Sequence, residues 1–219
     1  VNLAEQLTVT VGETLPSRLM PDILQKLAEA SPLMVLDVGF GVHETVEHFG
    51  RRRCKLHFCG LPDAIKSPPR LPAPAAKTGK IIDESARQEN LLDAWRERFR
   101  SVLNFPADTQ FDLCLFWDAF NYMDDLALKA FFEVLHPYLR KKTLGHGLIQ
   151  LKDDKQVTNR EYGIQAQDQL VMRPGCHDTL ASHPRPQARV ASMLKGFAVS
   201  HGVLRRDGLL EVSLKTEQL

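Results

Sequence analysis
Residues 32–45 read Pro-Leu-Met-Val-Leu-Asp-Val-Gly-Phe-Gly-Val-His-Glu-Thr, and no other stretch narrows the fold as far. Leu33 to Val38 is a short apolar run rich in branched residues, the composition of a strand buried on both faces. It runs straight into Gly39-Phe40-Gly41. Val42, Val46 and Phe49 follow at helical spacing, with Gly50 placed as a C-terminal cap. Strand, glycine turn and helix in that order open a nucleotide-type site. Glycine lets the backbone approach a ligand closely, and the first helical turn offers unpaired N–H groups.

Asp37 separates the ligand classes. A dinucleotide fingerprint needs Gly-x-Gly-x-x-Gly with an acidic residue about 20 positions further on. Here Glu44 stands at the third glycine, and the acid precedes the first, which places a nicotinamide oxidoreductase a distant third among the readings. Acid-x-Gly-x-Gly at the end of a first strand resembles motif I of the class I S-adenosylmethionine-dependent methyltransferases. The resemblance implies a turn under the methionine part of the cofactor, formed by Asp37, Gly39, Phe40 and Gly41. The family's third glycine is replaced by His43, positioned either to contact the cofactor or to crowd it.

The rest of the chain follows the same order. Pro21 to Ala30 reads as a helix, and Lys55 to Cys59 as a second strand. The resemblance implies an acid after that strand for the cofactor's ribose; Gly60 stands there, and Asp63 is the nearest candidate. Gly79 to Asp83 reads as a short third strand, with Asp83 matching the family's adenine contact. A Ser85-x-x-Gln88 capping box then opens a helix whose apolar face carries Leu91, Leu92, Trp95 and Phe99. Gln110 to Asp118 resembles the family's fourth strand, which ends beside the cofactor at Trp117 and Asp118. A helix capped by Asp124 or Asp125 follows, then a fifth strand from Gly145 to Leu151. A short helix after Pro186 leads to two strands joined by Asp207-Gly208, resembling the family's antiparallel end. The expectation is a doubly wound α/β fold, with a mainly parallel, Rossmann-like sheet of the seven-stranded type and an antiparallel C-terminal hairpin strand.

Composition sets wide bounds. With 219 residues the chain is expected to form one domain, 1–219. Within it, residues 1–16 read as a flexible arm, 67–80 as a proline-rich loop and 152–184 as an inserted loop region beside the crevice. A net charge of +1 gives no general reason to expect nucleic acid or an anionic membrane. No apolar run reaches the ~20 residues of a membrane span. The opening carries no signal-peptide pattern. The four cysteines form no CxxC pair and read as buried thiols of a cytoplasmic protein. The runs Arg51-Arg52-Arg53 and Arg140-Lys141-Lys142 sit at helix ends, where cations complement the helix dipole.

Two functions remain. The leading expectation is an S-adenosylmethionine-dependent methyltransferase with an unidentified acceptor. Asp118, Asn121 and Tyr122 stand where an acceptor would be met, and each also has a reading as a cap, a turn residue or a packing residue. The alternative is a degenerate relative that has lost the cofactor and serves as a binding or scaffold subunit, as His43, Gly60 and the absent Gly-Gly after Pro137 suggest. Cys176, His177 and His183 lack a fourth ligand and a metal-site spacing, so no metal is expected.

Overall fold
A computed structural model describes residues 12–70, 84–152, 160–175 and 180–216. Its central sheet contains β2 (Leu33–Asp37), β3 (Cys54–Phe58), β4 (Phe111–Trp117), β5 (Leu139–Gln150), β8 (Phe197–Leu204) and β9 (Leu209–Thr216), in the order β3-β2-β4-β5-β9-β8. The first four run parallel, β9 runs antiparallel to β5, and β8, antiparallel to β9, returns to the direction of the first four. Val35 pairs with Leu113 and Asp37 with Leu115, so the two strands that resemble the cofactor-bearing pair are parallel neighbours. β4 is buried at every position, the reason it reads as an unbroken apolar run. The third strand expected at Gly79 to Asp83 lies outside the described residues, as does most of the proline-rich loop.

Helices cover one face of the sheet. α3 (Leu61–Lys66), α4 (Glu84–Val102), α5 (Asp125–Leu135) and α6 (Gln187–Ala191) bury an aromatic core there, with Phe99, Phe116, Phe131 and Phe132 inaccessible. Asp124 caps α5, its carboxylate accepting from Ala127 N–H at 2.7 Å. α4 already runs through Ser85, so that serine is inside the helix rather than its cap.

The other face is where expectation and structure part. α1 (Met20–Lys26) and α2 (His43–Gly50) cover part of it, and a second, three-stranded antiparallel sheet covers more. That sheet has the order β1-β7-β6, from β1 (Glu13–Pro16), β6 (Arg160–Ala166) and β7 (Gln169–Pro174). Residues 13–16 of the expected arm are therefore a paired strand, and much of the expected loop is a β-hairpin. Tyr162, Ile164 and Leu170 are the apolar reason: they point inward and join the core under the sheet. α2 also turns differently from the pattern. Val46 is exposed, whereas Thr45 is buried and accepts a hydrogen bond from Ile164 N–H of the hairpin.

One buried carboxylate ties the N-terminal segment to the main sheet. Glu211 on β9 accepts from Arg18 N–H at 3.2 Å and Leu19 N–H at 3.4 Å, and from the Ser17 hydroxyl. His146 on β5 approaches the same carboxylate at 3.0 Å. Burial works against the ionised form, but these partners outweigh it and draw Glu211 down to about 2. Arg52 performs a similar service for α1, donating to the carbonyls of Leu27, Ala28 and Ala30, a sharper role than the dipole complement expected of its run. Among the described residues no helix is long and apolar enough to cross a membrane, and no three His, Cys, Asp or Glu side chains converge as a metal site.

Candidate functional site
At the carboxyl ends of β2 and β4, Asp37, Gly39, Gly41, Trp117 and Asp118 come together as one group. Asp37 Oδ1 accepts from Gly39 N–H at 2.8 Å and from the Trp117 indole N–H at 2.7 Å. Its Oδ2 is buried without a hydrogen-bond partner. Burial pushes this carboxyl up to about 6, with the two donors pulling the other way. Gly41 has φ +69°, a conformation suited to glycine.

The glycine turn is covered by the chain itself. A Cβ on Gly39 would lie 2.8 Å from Trp117 Cδ1, and one on Gly41 would lie 2.9 Å from Phe58 Cε1. The indole of Trp117 is held from three sides. Asp37 accepts its N–H, Tyr162 of β6 stacks on it with centroids 6.0 Å apart and planes at 12°, and His146 meets it edge-on at 5.9 Å. Trp117 itself has φ 49°, left-handed backbone that a bulky residue adopts only under constraint.

Asp118 follows at the end of β4, buried, and its Oδ2 accepts from the Tyr122 hydroxyl at 2.8 Å. Burial pushes it up to about 7, against the opposing effects of Tyr122 and the Arg160 charge. A carboxyl tuned in this way exchanges its proton near neutral pH, the range in which general acids and bases work. Asn121 is committed elsewhere. Its amide donates to Leu148 O at 3.0 Å, and its carbonyl accepts from Gln150 N–H at 2.8 Å. It thus brackets the end of β5.

Three further candidates stand apart. His43 projects into solvent, its side chain 83% exposed, and neither lines nor crowds the crevice. Asp63 is also on the surface, 82% exposed, beside Lys66. Asp83 lies outside the described residues, as do Cys176 and His177. Gly60 leaves room, since a Cβ there would meet nothing nearer than Val102 at 3.8 Å. Sequence reasoning missed Phe58, Arg160 and Tyr162. Only Tyr162 left a signal, the alternation Tyr162-x-Ile164 and Leu170-x-Met172 about a polar turn at Gln167-Asp168.

The strand order, with an antiparallel strand inserted beside the fifth, and the glycine turn between the first and fourth major strands decide the fold. A solved S-adenosylmethionine-dependent methyltransferase from Clostridium acetobutylicum ATCC 824 shares it over 93% of each chain, at TM-score 0.51 and 14% identity. This is the class I methyltransferase fold. Burkholderia thailandensis 1,6-didemethyltoxoflavin-N1-methyltransferase is also similar, at 15% identity and TM-score 0.47, over 92% of this chain and 78% of that one. No protein-family model and no curated protein sequence matches the chain.

A class I methyltransferase fold implies S-adenosylmethionine, so the fit of these residues to it is decisive. Between Gly39, Leu61, Asp118, Tyr122, Arg160 and Tyr162 the chain leaves a cavity of about 30 Å³, room for a water or two. Ligand pockets generally run to roughly 300–1,000 Å³. Trp117 rests directly against Gly39 at the edge of this cavity. Among the described residues, the cavity as it stands is smaller than a ligand pocket of that size.

Proposed function
We propose that this chain is a catalytically silent, methyltransferase-like protein that acts as a binding or scaffold subunit, its cofactor crevice closed by its own side chains. One observation carries the reading: the Trp117 indole rests on Gly39 with its N–H on Asp37. Two of the residues that suggest a cofactor turn are thereby used within the chain. Gly39 gives the indole its seat, and Asp37 receives its proton donor. The exposed His43 and the absent acid at Gly60 agree with a turn released from its ligand.

A second reading is an active S-adenosylmethionine-dependent methyltransferase with an unidentified acceptor. It is favoured by the left-handed backbone of Trp117, which costs on the order of 1–3 kcal/mol and makes the closed arrangement a strained one. In that reading Asp37, Gly39, Phe40 and Gly41 would hold the cofactor, and the near-neutral Asp118 would face the acceptor.

Titration calorimetry with S-adenosylhomocysteine separates the two, because the demethylated product needs no knowledge of an acceptor. The expected result is no binding at millimolar ligand. Micromolar binding that disappears in Gly39→Arg, with circular dichroism unchanged, would instead establish the enzyme reading.

A further inference from the structure
We propose that the β6–β7 hairpin is a latch, fastened to α2 by the Glu44–Arg173 ion pair, that holds Trp117 in place as a removable plug. The inference rests on the reading that Trp117 closes the crevice, and adds what keeps it closed.

Three observations support a latch over a permanently filled core. The plug is strained: Trp117 is a bulky residue at φ 49°, so its backbone would relax if the indole left its seat. Its outward support comes from the hairpin, through the parallel stack of Tyr162 on the indole. The hairpin in turn is fixed to the helix that follows the glycine turn. Arg173 on β7 grips Glu44 with both terminal guanidinium nitrogens, Nη1 at 2.9 Å. Thr45 receives Ile164 N–H at 3.2 Å, and Gly163 passes directly over Val42. A displacement of the hairpin from α2 therefore carries Tyr162 off the indole.

The ion pair is the adjustable member of this set. Its side chains are 20% and 21% exposed, so solvent and salt reach it, while Tyr162 and Ile164 are buried. The Arg173 bond also holds Glu44 below the usual carboxylate range, which keeps the pair charged at neutral pH.

The test uses the full chain with Trp95→Phe, which leaves Trp117 as the single tryptophan. Acrylamide quenching of its emission reads the plug, and amide hydrogen exchange of residues 160–174 reads the hairpin. The latch predicts that Glu44→Gln and Arg173→Gln each raise the quenching constant at least threefold and speed hairpin exchange. The swapped pair Glu44→Arg with Arg173→Glu should restore both. One molar sodium chloride should reproduce the effect in the unsubstituted pair, which covers the case of a variant that fails to fold. Faster hairpin exchange with unchanged quenching would overturn the proposal, because the plug would then hold alone. Unchanged exchange and quenching would overturn it too, since the pair would fasten nothing. If Trp117 were as freely quenched in the parent as in denaturant, the closed crevice itself would fall.

Discussion

The strands that meet at the Trp117–Tyr162 stack differ in how they are held. β4 is buried at all seven positions, with a parallel neighbour on either side and core against both faces. β6 buries only Tyr162, Gly163 and Ile164, pairs with β7 on one side, and is met on the other by Thr45 and the start of α2. Floor and cover therefore draw on different sources of stability. The floor rests on apolar burial that solvent conditions hardly touch. The cover adds a partly exposed ion pair, a side-chain hydrogen bond and one aromatic stack. Such elements open at lower free energy than the sheet they rest on. Closure of the crevice is the less stable half of the molecule acting on the more stable half.

Removing the joint between them gives the largest effect. Trp117→Ala deletes a fully packed indole and should cost about 3–5 kcal/mol in urea unfolding, as large-to-small core changes do. If floor and cover are distinct, hydrogen exchange should quicken mostly in residues 160–174 and less in β2. An equal loss of protection in both would erase the distinction.

Glu211→Gln tests the second tie, that between the N-terminal segment and the main sheet. It removes the charge shared by Ser17, Arg18, Leu19 and His146 in a buried setting. A loss of about 2–4 kcal/mol is expected. The pH dependence gives the sign. The folded group titrates at about 2 rather than near 4.5, so its contribution is complete above pH 4.5 and disappears as pH falls toward 2. A stability curve flat across that window would count against the network.

The same contrast explains what the sequence disclosed. β2, β4 and the glycine turn were legible because burial on both faces leaves an unbroken apolar run that ends in glycine. Gly39-Phe40-Gly41 was expected to face Trp117-Asp118, and the parallel pairing of β2 with β4 brings the two ends together. The cover was not legible. Glu13–Pro16 is only four residues long, and the hairpin turn Gln167-Asp168 lacks the glycine or asparagine that announces a tight turn. Glu211 was hidden for another reason. On β9 it shares the face of Ser213 and Lys215, and its burial depends on the distant Ser17–Leu19 segment laid over it. Nor does any pattern in the chain reveal that the turn's ligand-facing side would be taken by Trp117, because a side chain's destination depends on what packs above it.

A smaller effect sharpens the claim about Gly39. Its Cβ would meet Trp117 Cδ1 at 2.8 Å, closer than real Cβ atoms come, so Gly39→Ala should cost about 1–3 kcal/mol as an overpacked site. The decisive measurement is the double-mutant cycle. In a Trp117→Ala background the same substitution should cost well under 1 kcal/mol, because the clashing atom is gone. A cost that persists would mean that Gly39 is required by its own backbone, or by Asp37 Oδ1 at 3.1 Å, and not by the plug.

Asp37→Asn should change stability at neutral pH least, by about 1 kcal/mol or less, and yet it reports most directly on the joint. In the folded chain Asp37 titrates at about 6, above its ordinary 3.8, because burial disfavours its charge. Between those values the folded state keeps a proton that the unfolded state has released. The Asp37 contribution to stability therefore falls as pH rises from about 4 to 6, and is level above that. Asp118, at about 7, contributes in the same direction up to a slightly higher pH. Glu211 contributes in the opposite direction at lower pH, so these three contributions together are largest at about pH 4 and fall above it. Asparagine keeps an oxygen for the indole N–H and for Gly39 N–H, but has no proton to release. Its variant should lose the Asp37 part of the slope between pH 4 and 6, retain the Asp118 part, and leave Trp117 as resistant to acrylamide as before. If the slope were unchanged, the carboxyl would not be the buried, uncompensated group that its free Oδ2 makes it. If Trp117 instead became quenchable, the indole would depend on the charge of Asp37 as well as on its oxygen, and the floor would share in holding the plug.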